Sequence, residues 1–125
     1  MNDIFKKLGI PEWEFRVVFG RTKIDYDANK EHLNRTKHGY SLESAVEQLE
    51  RMILPIGAPP PRMTSDGFLE GGEVRHMHMG VDDSGKVILM VTTMRPNETL
   101  RIISYRRASA EERECFFEHT GYHEP

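Results

Sequence analysis

Strand-like runs of apolar residues dominate the second half of the chain. Three stretches rich in Val, Ile, Leu and Met, at 73–81, 86–94 and 99–105, are joined by "DDSG" and "RPNE". Links of this length and composition are typical of hairpin turns, so we expect the three strands to pair antiparallel. The middle stretch "KVILMVTTM" is apolar at consecutive positions, which predicts a central strand covered on both faces.

The first half carries helical patterns instead. "KIDY" at 23–26 predicts a short strand, and Asp27 is placed to cap a helix that runs to about His38 and stops at Gly39. A second helix follows, with Ser41 at its cap. Its apolar residues have the i, i+3, i+4, i+7 spacing of a stripe that packs on a core; they are Leu42, Ala45, Val46, Leu49 and Ile53.

A third helix is expected after the strands. Ser109 and Glu112 have the spacing of a capping box, and Gly121 is placed to end the helix they start. The pattern therefore predicts an α+β fold, with a short N-terminal strand, two helices, a three- to four-stranded antiparallel sheet and a C-terminal helix.

Two stretches predict little regular structure. Residues 54–72 hold four prolines and four glycines, which permits at best a short edge strand within a loop. Residues 1–22 could form a short helix before Pro11 and a strand that ends at Gly20. We therefore divide the chain into an N-terminal extension at 1–22, a single domain at 23–121 and a tail at 122–125.

Composition narrows the class of protein. A chain of 125 residues, 38% hydrophobic and 30% charged, suits one compact soluble domain. The apolar runs are too short to span a membrane, and no secretory signal is apparent, so we expect a cytoplasmic protein. The single cysteine, Cys115, agrees with a reducing compartment. Because the formal net charge is −3, any anion-binding site must be local.

Arginines at the last predicted strand suggest such a local site. Arg101 lies near the start of this strand, and Arg106 and Arg107 lie where it gives way to a helix N-terminus, which already favours anions. Guanidinium groups that converge there could hold a phosphate. The alternative is structural, because Glu111 and Glu112 are close enough in sequence to pair with these arginines.

Alternation within the strands predicts further neighbours. It places Glu73 and Arg75 on one face of the first strand, as a catalytic pair or an ordinary ion pair. It places Arg101 and Tyr105 on one face of the last strand, together with Thr99 and Ile103.

The histidines do not predict a metal site. His76 and His78 are two residues apart and lie on one face of the strand, but no cysteine or carboxylate motif completes a ligand set. His119 and His123 have a helical i, i+4 spacing, which Gly121 interrupts. We expect no metal and no other cofactor.

Two separated parts of the chain resemble the BrnT-type toxins. "IDYDANKEHLNRTKHGYSLESA" at 24–45 resembles the signature of this family through Tyr26-Asp27, Lys30, Asn34, Lys37-His38-Gly39, Ser41 and Ala45. "GEVRHMHMG" at 72–80 and "RIISYRRASAEER" at 101–113 resemble its later strand and its arginine-rich junction, in the same order.

The resemblance implies a small ribonuclease toxin of a type II toxin-antitoxin pair, with a RelE-like fold. Such a toxin is neutralised by a DNA-binding antitoxin, reaches DNA only through that antitoxin, and uses no metal or organic cofactor. It would cleave RNA by attack of the RNA's own 2′-hydroxyl. The chain also departs from the family in its net negative charge, its long loop at 54–72 and its unmatched residues 1–22.

Roles for individual residues follow from this resemblance as expectations. Arg101, Arg106 and Arg107 would hold the phosphate, with Lys37 as a further contact. Arg75, which shares a strand face with Glu73, is a further candidate catalytic residue. Proton transfer would fall to Glu73, His38 or Tyr105, of which we rank Glu73 first. Tyr105 could also stack on a base.

A second hypothesis is a binding module on the same fold that has lost nuclease activity. The nuclease hypothesis expects the three arginines to surround an open pocket without neutralising partners. The binding-module hypothesis expects them to be paired with Glu111, Glu112 or Glu118.

Overall fold

The computed structural model describes residues 23–53, 61–65, 67–95 and 99–125. Within these residues lie six strands and three helices, in an order that confirms the predicted α+β class. They are β1 (Lys23–Tyr26), α1 (Ala28–His38), α2 (Leu42–Ile53), β2 (Met63–Thr64), β3 (Phe68–Glu70), β4 (Glu73–Val81), β5 (Val87–Arg95), β6 (Thr99–Arg107) and α3 (Ala110–Thr120). The expectations for residues 1–22 lie outside the described residues.

The six strands form one mixed sheet rather than the expected three- to four-stranded antiparallel one. Its order is β1-β6-β5-β4-β2, and β3 also pairs with β4. β1 adds to one edge parallel to β6, with Tyr26 opposite Ile102, because the two intervening helices carry the chain back across the sheet. β2 and β3 come from the predicted loop at 54–72 and pair antiparallel with β4 at the other edge.

Helices cover both faces of the sheet. α2 packs on one face, where its apolar stripe meets Ile88 and Met90 of β5, and α3 packs on the other face, near Val87 and Leu89. The consecutive apolar residues of β5 therefore divide between two cores, as the sequence predicts for a central strand. The predicted helical stripe is also confirmed at Leu42, Ala45 and Leu49, which are fully buried.

The predicted helix ends are confirmed. The Asp27 side chain accepts a hydrogen bond from the Asn29 amide at 2.9 Å, and Gly39 ends α1 in the left-handed region with φ 75°. The capping box at the start of α3 is formed, and Gly121 ends this helix with φ 78°. No helix in the described part of the chain is long and apolar enough to cross a membrane.

The start of α2 is capped by Glu31, which was not predicted, as well as by the predicted Ser41. Ser41 Oγ does accept a hydrogen bond from the Ser44 amide, at 3.4 Å. The Glu31 carboxylate, however, accepts shorter ones from the first two amides of the helix, at 2.8 Å from Leu42 and 3.0 Å from Glu43. This carboxylate therefore ties α1 to α2.

One histidine is enclosed in the sheet. His78 is fully buried on β4, and its two ring nitrogens lie 3.2 Å from the Thr64 hydroxyl and 2.8 Å from the Thr92 hydroxyl. Burial, with a smaller contribution from the neighbouring His76, lowers the pKa of His78 to about 3. His78 is therefore a neutral core residue at physiological pH.

Candidate functional site

Helix α1 lies against the free edge of β6. β1 pairs with β6 only as far as Ile102, and beyond this point the side chain of Asn34 takes the place of a strand. Its Nδ2 donates to the Tyr105 carbonyl at 2.9 Å, and its Oδ1 accepts from the Tyr105 amide at 3.2 Å. These two bonds hold α1 beside the second half of β6.

A β-bulge shapes this half of β6. Val91 of β5 pairs with Ser104, while the next residue, Thr92, pairs with Ile102. Ile103 is therefore an extra residue on β6, and the side-chain alternation of the strand reverses at this point. The predicted grouping of Arg101 with Tyr105 on one face is consequently wrong.

Between α1 and β6 lies a cleft of about 210 Å³ with basic side chains. Neither lysine in its lining forms an ion pair with any described residue, and no carboxylate of the described residues lines it. Such a cleft attracts anions although the chain as a whole is acidic. The lining residues are Lys30, Leu33, Asn34, Lys37, His38, Ile103 and Ser104.

His38 is half-buried at the end of α1. Burial lowers its pKa below the ordinary value, and the positive charges of Lys37 and Arg106 lower it further. Arg106 acts on His38 through its charge, although it is not one of the residues that line the cleft. A neutral imidazole next to cations can accept a proton near neutral pH.

The predicted arginine cluster is not formed. Arg101 pairs with Thr93 and Arg106 with Leu89, so both lie on the sheet face that α3 partly covers. Arg107 pairs with Ile88 and so points to the face that α2 covers. The three side chains therefore leave β6 on different faces of the sheet.

Each of these arginines also has an acidic partner. Arg106 donates two hydrogen bonds, of 2.7 and 2.8 Å, to the fully buried carboxylate of Glu112. Arg101 binds Asp25 at 3.0 and 3.3 Å, and Arg107 binds Glu124 with two bonds of 2.9 Å. The expectation of an unneutralised arginine patch is therefore wrong.

Tyr105 lies in the core rather than in an RNA-accessible position. Its side chain is on the face covered by α2, and its ring centroid is 5.0 Å from that of Tyr40. Burial raises the pKa of Tyr105 far above its ordinary value. With only 4% of its surface exposed, this ring is not available to stack on a base.

Glu73 and Arg75 share the sheet face of Arg106 but lie at its far end. Glu73 contacts Arg75 at 3.2 Å and Arg95 at 3.5 Å. Arg95 and Leu89, which pairs with Arg106, are six positions apart on β5, roughly 20 Å in an extended strand. Glu73 and His38 are therefore too far apart to act on the same phosphate.

A second cavity, of about 460 Å³, lies between α3 and the residues that follow it. The Tyr122 hydroxyl donates to the Gly85 carbonyl at 2.6 Å, and the His123 ring stacks on Phe117 with centroids 3.7 Å apart. Residues 122–125, expected to be a tail, thus contact the body of the domain. Within the described ranges, no three His, Cys, Asp or Glu side chains are grouped as a metal ion would require.

Lys37 and His38 were predicted to belong to the site, whereas Lys30, Asn34 and Ser104, which also line the cleft, were not. Lys30, Asn34 and Lys37 have i, i+4, i+7 spacing, which places them along one side of a helix. This spacing was the available signal, although the stripe is polar. Nothing in the sequence pattern indicated that Ser104 would line the cleft, because its position depends on the bulge.

The fold and the cleft together define a small α+β protein with a cleft that is lined by two lysines and a histidine. The chain belongs to the BrnT family: a family model described as the ribonuclease toxin, BrnT, of type II toxin-antitoxin systems matches residues 26–112. Membership of such a family implies an antitoxin as partner. The predicted family is confirmed.

A solved structure supports the fold. The crystal structure of the Brucella abortus ribonuclease toxin BrnT matches with a TM-score of 0.51 and 24% identity, covering 70% of this chain and 97% of that chain. At this identity the match shows the fold alone. No curated protein sequence matches the chain.

Proposed function

We propose that this chain cleaves RNA in the cleft between α1 and β6, without a metal ion, with the RNA 2′-hydroxyl as nucleophile. The observation that carries the proposal is a cleft with three basic side chains and no carboxylate among its described lining residues. The family supports it, because its members are described as ribonuclease toxins.

His38 accepts the proton of the 2′-hydroxyl in this proposal. Its lowered pKa favours the neutral imidazole that a general base must supply near pH 7. Glu73, which the sequence reading ranked first, is a weaker candidate because Arg75 and Arg95 already bind its carboxylate. The departing 5′ oxygen takes a proton from Lys37 or from water, which leaves a 2′,3′-cyclic phosphate and a 5′-hydroxyl.

Cations stabilise the charge that develops on the phosphate. Lys30 and Lys37 supply positive charge from the lining of the cleft on α1. Arg106, which lies outside this lining and is paired with Glu112, adds a contact from β6. Arg75 and Arg101 lie farther along the same sheet face, where they contact flanking phosphates of a longer RNA. Arg107 is a peripheral contact at the end of β6.

The wider setting follows from the family. A DNA-binding antitoxin neutralises the chain, and the complex reaches DNA only through that antitoxin. We also propose that the fold is RelE-like, that the protein is cytoplasmic and that its single domain spans residues 23–121.

A non-catalytic binding module on the same fold is the second candidate. It is favoured by the ion pairs of Arg101, Arg106 and Arg107, each of which has a carboxylate partner. In this case the cleft would bind an anionic partner without cutting it.

Expression of the chain alone separates the two candidates. We expect growth arrest and shortened cellular RNA with the parent sequence, and relief of both with His38→Ala or Lys37→Ala. His32→Ala is the control, since His32 is exposed on the same helix and does not line the cleft. Normal growth with intact RNA, from protein shown to be folded, favours the binding module.

A further inference from the structure

Asn34 has an unusual environment for a polar helical residue. It is the buried residue of α1, with 7% of its surface exposed. Its Nδ2 donates to two carbonyls, at 2.7 Å to Tyr40 and 2.9 Å to Tyr105, and its Oδ1 accepts from the Tyr105 amide. Both amide hydrogens and the carbonyl oxygen are therefore used.

Few other side chains could make these three bonds. Aspartate has the same shape, but it would place a carboxylate oxygen against two carbonyl oxygens. Alanine or leucine would leave backbone groups of Tyr105 without partners at the sheet edge, which is costly for buried groups. Glutamine has the same polar groups, but its extra methylene would move α1 relative to β6.

The two bonds to Tyr105 join the two sides of the cleft, and the third, to Tyr40, holds the turn that follows α1. Tyr105 lies between Ser104 and Arg106 on β6, and Tyr40 lies just beyond the end of α1 that carries Lys37 and His38. Asn34 therefore fixes α1 to the strand at the residue that precedes Arg106. Among the described residues, Asn34 supplies the side-chain hydrogen bonds between α1 and β6.

We propose that Asn34 is a positioning residue, which holds His38 and Lys37 in register with Arg106. It does not touch the RNA. This proposal rests on the function proposed for the cleft. It states that substitution of Asn34 slows RNA cleavage by more than the loss of stability explains.

Two substitutions test this role. Asn34→Ala removes all three bonds, and Asn34→Gln retains the polar groups at a displaced position, which keeps the test usable if the alanine variant does not fold. We expect kcat for RNA cleavage to fall about 10- to 100-fold, by analogy with displaced catalytic groups. KM should stay within about threefold, because the cations that bind the RNA remain.

Thr64→Val is the matched control for stability. It removes a buried hydrogen bond to His78 at the other edge of the sheet, away from the cleft. All variants are assayed well below their melting temperatures. If the Asn34 variants lose no more kcat than Thr64→Val does, Asn34 is merely structural and the proposal is wrong.

A second readout does not depend on cleavage. The pKa of the His38 imidazole is followed by NMR titration in the full chain, where Lys37 and Arg106 are the charged groups that act on it. In Asn34→Ala and Asn34→Gln we expect this pKa to rise toward its ordinary value, as the helix end loosens. An unchanged pKa would overturn the positioning role, whereas a shifted pKa in a chain that never cuts RNA would overturn only the ribonuclease proposal.

Discussion

At the scale of single residues, His38 is the group on which the proposed chemistry depends. It lies at the end of a helix beside a bulged strand, where its burial and the charges of Lys37 and Arg106 favour the neutral imidazole. The nearby arginine is already neutralised by Glu112, so the lysines of α1 carry the uncompensated charge. The residue pattern of α1 is therefore more informative about the site than the arginines of β6.

The proposed role of His38 predicts a pH dependence. Because the base is active when neutral and its pKa is lowered, kcat/KM should rise with pH and level off with a midpoint below 6.5. His38→Ala should lose at least about 100-fold in rate and abolish this acid limb. Cleavage of a short RNA between pH 4.5 and 8 measures both, with His32→Ala as control. If the acid limb persists in His38→Ala, the titration of another group causes it, and the proposed role of His38 is wrong.

His78 predicts a pH dependence of stability instead. Its pKa of about 3 in the folded protein lies below that of the unfolded chain, about 6.5. Between these values the unfolded state binds more protons, so the unfolding free energy falls as the pH drops, by about 1.4 kcal/mol per pH unit from this group. Urea unfolding at pH 7 and pH 4.5 measures the effect.

Substitution of His78 supplies the control. His78→Gln retains polar contacts with Thr64 and Thr92 but does not titrate, so its loss of stability between pH 7 and 4.5 should be smaller than that of the parent. Equal losses in the two proteins would show that other groups, such as Glu112, account for the acid sensitivity.

At the scale of elements, the junction of β6 and α3 is organised by one carboxylate. Glu112 accepts hydrogen bonds from Arg106 and from the Ser109 amide, and it has no exposed surface. Burial alone would raise the pKa of Glu112, but these hydrogen bonds outweigh it and the pKa is lowered. The arginine-rich junction of the sequence is thus held by the capping box that follows it.

Glu112→Gln is expected to destabilise the fold by about 2–4 kcal/mol, because Arg106 loses its partner within a partly buried pair. Glu111→Gln, at the neighbouring exposed position, should change the unfolding free energy by less than about 0.5 kcal/mol. Urea unfolding at pH 7 compares the two. Similar values for both variants would mean that the ion pair contributes little.

The sequence predicted the elements better than their arrangement. Caps at Asp27, Ser109, Gly39 and Gly121 are local signals, and all were readable. The parallel pairing of β1 depends on where two helices return the chain, which local patterns do not encode. The bulge at Ile103 is one extra residue that reverses the alternation, so face assignments were correct before it and wrong after it.

At the scale of the whole molecule, a net charge of −3 surrounds a small basic cleft. RNA binding should therefore depend only moderately on salt. If Lys30 and Lys37, whose charges are uncompensated, neutralise two phosphates, log K should fall with log salt with a slope of about −1.4. Titration of an RNA with a 2′-deoxy substitution at the cut site measures binding without cleavage. A slope steeper than about −5 would indicate a much larger RNA-binding surface than this cleft.

The central claim is metal-independent cleavage by the RNA's own 2′-hydroxyl in the α1–β6 cleft. The most direct measurement is the chemical identity of the new RNA ends, by mass spectrometry, after incubation with the purified chain in excess EDTA. The account predicts 2′,3′-cyclic phosphate and 5′-hydroxyl ends, and at least about 100-fold slower formation of these products by His38→Ala. Products with 3′-hydroxyl and 5′-phosphate ends, or equal cleavage by His38→Ala, would contradict it.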